Sequence, residues 1–177
     1  MDISVNGNLV SSALLLARVV LGTLIAAHGS RKLFGWFGGY GLAGTGGFFE
    51  GLGFRPGRTF AAAAGAAEFT AGILILLGLL GPIGPALMLS VMVVAAVSVH
   101  LKNGLFATGN GIEVPLLYAT GAVTLALTGP GAYSMDAGLG LDSLWTPALR
   151  WAALAAGVVG AAVNLGARRV TSTVSTA

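Results

Sequence analysis

The chain alternates long apolar runs with short polar or glycine-rich breaks. The first run extends from Val10 to Phe34, VSSALLLARVVLGTLIAAHGSRKLF, with Arg18 inside it and the basic pair Arg31-Lys32 near its end. A second covers Thr59 to Leu80, and the turn GPIGP leads directly into a third, Ala86 to Leu101. The loop KNGLFATGNG precedes a fourth, Ile112 to Thr128, which the breaker pair Gly129-Pro130 closes. After a loop carrying Asp136 and Asp142, a fifth runs from Thr146 to Ala167. A helix crossing a bilayer core needs about 20 consecutive, mostly apolar residues. The pattern therefore predicts an all-α integral membrane protein with five transmembrane spans. The leading stretch MDISVNGN lacks a basic region, and Arg18 interrupts the run behind it, which argues against a signal peptide.

Two segments lie outside the spans. Residues 35–58, GWFGGYGLAGTGGFFEGLGFRPGR, are so rich in glycine that a regular helix is not expected there. Leu42, Phe48, Phe49, Leu52 and Phe54 suit the membrane interface, with Trp36 and Tyr40 as aromatic anchors. The residues from 168 to 177, ending in VTSTVSTA, are expected to form a disordered cytoplasmic tail.

Composition supports membrane residence. Of 177 residues, 55% are hydrophobic and only 8% charged, with a mean hydropathy of +0.88. Soluble domains run near a quarter charged. The net charge of +3 is small and scattered, which excludes a nucleic-acid partner and leaves membrane lipids as the surroundings. The chain has no cysteine, so it forms no disulfide, thiolate metal site or thiol relay of its own. Five alternating spans put Arg31, Lys32, Arg55, Arg58, Lys102, Arg168 and Arg169 on one side and only Arg150 on the other. The positive-inside rule makes the basic side cytoplasmic, with the N-terminus outside.

Against that background Glu68 stands out, a lone carboxylate in AAAAGAAEFTAGILILLGLLG. Ala64, Gly65, Ala71 and Gly72 share its helical face, so the acid faces protein and not lipid. Arg18, Gly22, Ile25 and Gly29 form a matching face on the first span. Counting depth from the span ends places Arg18 and Glu68 within roughly 6 Å of each other, which makes them the expected buried pair. His28, Lys32, Tyr118, His100 and Glu113 are the remaining candidates for a polar site; for His100 and Glu113 ordinary anchoring at helix ends is the alternative. No i, i+3 or i, i+4 ligand pair exists among the histidines and acids, so no metal is expected. Met88 and Met92 suit packing. Ala153, Gly157 and Ala161, beside Ala152, Ala156 and Gly160, make residues 152–161 a candidate helix–helix interface, within the chain or between copies.

Three stretches resemble the DoxX family of small bacterial membrane proteins: AHGSRKLFGWFGG, AAEFTAGILILLGLLGPIGP and GPGAYSMDAGLG, in the family's order across residues 13–140. The resemblance implies a four-helix membrane bundle over residues 1–145, so that residues 146–167 form an additional transmembrane helix. It also places Arg18, His28, Lys32, Glu68, His100, Glu113 and Asp136 at the family's recurrent polar positions. Members include subunits of a thiosulfate:quinone oxidoreductase and components of redox-stress complexes. The resemblance thus implies a bacterial inner-membrane subunit of a quinone-linked redox complex, with protein partners and no covalently bound cofactor. Its quinone would lie among the first four spans, with donors from His28, Arg18 and Tyr118. A non-catalytic scaffold whose buried ion pair is structural is the alternative, and a small-molecule transporter a further one. No catalytic residue can be assigned from sequence.

Overall fold

A computed structural model describes residues 3–169, with side chains from residue 7 onward. All regular structure among the described residues is helical: α1 (Ile3–Leu33), α2 (Gly41–Gly51), α3 (Gly57–Leu77), α4 (Ile83–Ala95), α5 (Glu113–Thr128), α6 (Met135–Leu139) and α7 (Pro147–Gly166). Lipid cannot hydrogen-bond a bare backbone, so apolar segments of this length must satisfy their amides within a helix. A π turn at Ala96–His100 and a 3-10 turn at Leu101–Asn103 prolong α4 without a break.

Four helices are long and apolar enough to cross a membrane: Gly7–Leu33, Gly57–Leu77, Ile83–Asn103 and Pro147–Gly166. The fourth sequence span forms as α5, but its 16 residues reach only about 24 Å. That is short of a hydrocarbon core of about 30 Å.

α1, α3, α4, α5 and α7 nevertheless run alternately up and down. At one end Arg168 Nε donates to Leu52 O (3.0 Å), Arg169 N to Gly53 O (2.8 Å), and His100 Nδ1 lies 2.9 Å from Asn110 O. Arg31, Lys32, Arg58 and Lys102 cluster toward this basic end. At the opposite end Ala132 N donates to Ser11 Oγ (3.3 Å) and Arg150 to Leu127 O (2.7 Å). Arg168 and Arg169 are therefore fastened to the α2–α3 connector and do not belong to a free tail. The remainder of that expected tail, from residue 170, lies outside the described residues.

α1 and α3 form the closest seam in the bundle, and the small residues seen in sequence make it. A Cβ on Gly22 would lie 2.7 Å from Leu76 N, one on Gly29 2.5 Å from Phe69 N, and one on Gly72 2.5 Å from Ala26 N. Ile25, Ala71, Ile75, Met88, Met92, Ala122, Leu125 and Leu154 fill the core. Gly157 lets α7 meet α4 within the chain, since a Cβ there would sit 2.6 Å from Ala86 O.

Three expectations change. The glycine-rich connector contains a helix, α2, because its glycines serve close approach: Gly46 backs directly onto Arg58 and Gly57. Phe54, expected in the interface, is buried against Phe49 and Phe60, with Arg168 over its ring at 5.5 Å from the centroid. GPIGP is only partly a turn. Pro82 caps α4 and Pro85 lies in its first turn, where a missing N–H leaves no helical bond unmade.

Candidate functional site

Polar groups gather at two places in this apolar bundle. At the opposite end, Asp136 is fully buried and accepts from Leu80 N (2.8 Å), Gly81 N (2.6 Å) and Trp145 Nε1 (2.9 Å). Its own N–H donates to Gly78 O (3.0 Å). One carboxylate thus ties the α3–α4 turn to α6 and to the start of α7. Arg18 points to this place: it donates to Tyr133 O and lies within Coulombic reach of Asp136. Its guanidinium rests on Gly78, the left-handed C-cap of α3, where any side chain would collide with it.

The expected Arg18–Glu68 pair does not form. Both groups are buried, but Glu68 is paired with Lys32. The glycine contacts fix why. Gly29 lies against Gly65 and Phe69, and Gly22 against Gly72 and Leu76. In that register Lys32 meets Glu68, while Arg18 meets the far end of α3. The salt bridge is lopsided: the Lys32 side chain is 24% exposed and that of Glu68 3%. The second carboxylate oxygen of Glu68, Oε2, has no partner among the described residues.

Lys32 is also where two cavities adjoin. The larger, about 590 Å³, lies between α2, α3, α4 and α7 at the basic end. Its walls are largely apolar, with Phe49, Phe54, Phe60 and Val94 among them, and Arg31, Lys32, His100 and Asn110 supply polar groups. The smaller, about 420 Å³, lies between α1 and α2 and includes His28. Arg31, Lys32, Tyr40, Phe48 and Phe49 border both, so α2 straddles a chamber with two lobes.

The sequence-derived candidates divide accordingly. Lys32, His28 and His100 line the chamber. Tyr118 does not: it is buried in the core with its ring edge-on to His28, centroids 6.1 Å apart. Glu113 does not either; it accepts from Ala107 N (2.8 Å) and holds the α4–α5 loop. Arg18, at the far end, cannot serve a ligand there. Sequence reasoning missed Arg31, Ser98, Asn110 and Asn164 as cavity residues. Ser98 left a readable trace, as a hydroxyl inside the apolar run VMVVAAVSVH. Among the described residues no group of three or more His, Cys, Asp or Glu could hold a metal ion.

The fold and the buried polar groups define a multi-pass helical membrane protein with a chamber at its basic end. A family model described as DoxX matches residues 13–101, about half of the chain, and the chain belongs to the DoxX family. The match takes in Arg18, His28, Lys32, Glu68 and His100 and ends before Glu113 and Asp136. Among curated proteins and among solved structures, nothing matches.

Proposed function

We propose that this protein is the membrane subunit of a quinone-linked redox complex of the bacterial inner membrane, and that the larger cavity receives the quinone. The observation that carries this reading is the cavity itself. Its volume of about 590 Å³ falls in the range of small-molecule sites, and its apolar walls surround a few convergent polar groups. A quinone matches that distribution, with a hydrocarbon tail for the aromatic wall and carbonyl oxygens for the donors.

When bound, the quinone supplies a two-electron acceptor soluble in the bilayer. The chain's own residues supply the rest. Lys32 and Arg31 donate toward the headgroup, and the aromatic side chains of α2 shield it from water. Glu68 behind Lys32 holds that ammonium in place and offers a carboxylate for proton exchange. Electrons come from a soluble partner, for which the basic end, with Arg55, Arg58, Lys102 and Arg169, is a docking side that suits an acidic surface. Five crossings, with the basic end cytoplasmic and the N-terminus outside, accord with the alternating directions of α1, α3, α4, α5 and α7. The same reading gives α5 a locally thinned bilayer. The exposed stripe of Ala152 and Ala156 is left for contact between copies.

Lipid extraction from protein purified in mild detergent tests the reading. Quinone is expected at close to one per chain, well above its share of the bulk membrane lipid, and Lys32→Met should lower it severalfold. Quinone at no more than the bulk share would overturn the assignment. A second reading, a scaffold without a ligand, is favoured by Asp136, a buried carboxylate whose three accepted bonds tie separate elements of the fold together.

A further inference from the structure

Some helical hydroxyls in this bundle are bound to their own backbone. Ser30, Thr120 and Thr128 each donate to the carbonyl four residues earlier, at 2.7 to 2.9 Å. Ser98 departs from this. Its residue is 7% exposed, and its Oγ has no hydrogen-bond partner among the described residues. The reason lies in the backbone, for Ser98 is the central residue of the π turn Ala96–His100. A π turn carries an extra residue and shifts the carbonyl ladder, so the usual i−4 acceptor is displaced. A buried hydroxyl without a partner is unfavourable in lipid. Ser98 nevertheless borders the larger cavity, beside Val94, Val99 and His100. It lies five residues from the end of the span at Asn103, about 7.5 Å in from the basic end.

We propose that Ser98 is the specificity-determining donor of this cavity: its hydroxyl hydrogen-bonds a carbonyl oxygen of the bound headgroup. The proposal rests on the quinone reading above and adds to it the residue that distinguishes a carbonyl head from a plain hydrocarbon. Rotation about χ1 between staggered wells is all the hydroxyl needs to face the cavity. The π turn contributes by displacing the i−4 carbonyl that Ser30, Thr120 and Thr128 use, which leaves the Ser98 hydroxyl available to a ligand. Recognition of the head is polar and the tail contributes only apolar contact, so the two parts of a ligand are separable by experiment.

The test is calorimetric titration of the full chain in nanodiscs with two probes, decylubiquinone and decylbenzene, which share a tail and differ in carbonyls. Ser98→Ala should weaken decylubiquinone binding about tenfold, the scale of one good hydrogen bond, and leave decylbenzene unchanged. Its melting temperature should hold or rise, since an unpartnered hydroxyl is removed. Ser98→Thr, which keeps the hydroxyl, should retain most of the affinity. Equal decylubiquinone binding by wild type and Ser98→Ala would overturn the role of Ser98 and leave the quinone reading intact. No decylubiquinone binding by the wild type would overturn both.

Discussion

Lys32 and Glu68 illustrate how unevenly two members of one ion pair depend on each other. Lys32 reaches water in part and can extend its ammonium toward the interface when its partner is lost. Glu68 has no such exit, being nearly sealed in α3. Lys32→Met should therefore cost about 3 kcal/mol of stability, within the range for removing one partner of a buried pair. Glu68→Gln should cost about 1 kcal/mol, the scale of an ordinary hydrogen bond. Methionine at both positions should recover most of the Lys32→Met loss. Thermal unfolding in one detergent reads all three variants, and equal losses for the two single variants would contradict the asymmetry. The sequence made both buried charges visible but paired the wrong ones. Depth along a helix can be counted from span ends; the register between two helices is set by which small residues touch. That register became visible only through Gly22, Gly29, Gly65 and Gly72.

At the level of elements, glycine has two meanings that composition alone does not separate. In the α1–α3 seam it removes side chains from a backbone contact, and the spacing of Gly65 and Gly72 around Glu68 announced this. In α2 the same residue argued against a helix, because propensity scales penalise glycine in water. Lipid and the packing of Gly46 against Arg58 and Gly57 decide otherwise. The two meanings respond differently to one added methyl group. Gly72→Ala should destabilise by about 2 kcal/mol, because its Cβ would meet backbone on α1 that cannot give way. Gly47→Ala in α2, where nothing lies within 4 Å of the added carbon, should be neutral or stabilising by up to about 1 kcal/mol. Melting temperatures measured side by side check the pair. A destabilised Gly47→Ala would mean that α2 closes on something further.

For the molecule as a whole, the 16-residue α5 decides the number of crossings. The absence of cysteine makes this measurable without a background. Thr108 and Ser143 are exposed in the loops on either side of α5. Thr108→Cys should react with a membrane-impermeant maleimide only after permeabilisation, and Ser143→Cys in intact cells. Labelling of both from one side would remove α5 from the membrane and leave four crossings. Four of the five expected spans form helices of membrane length, and they were legible because a bilayer imposes length and hydropathy on every segment that enters it. The chamber was not, since its walls run from His28 on α1 to Asn164 on α7 and close only in three dimensions. Asn164, on α7, closes one of those walls, and the Arg168–Leu52 and Arg169–Gly53 bonds fasten that helix in place. This has a consequence for biogenesis. During synthesis α7 leaves the ribosome after the other described helices, so the groove that it covers is the last part of the described bundle to close. Docking of α7 must displace whatever lipid fills that groove, so the chamber takes its final shape only when α7 has packed.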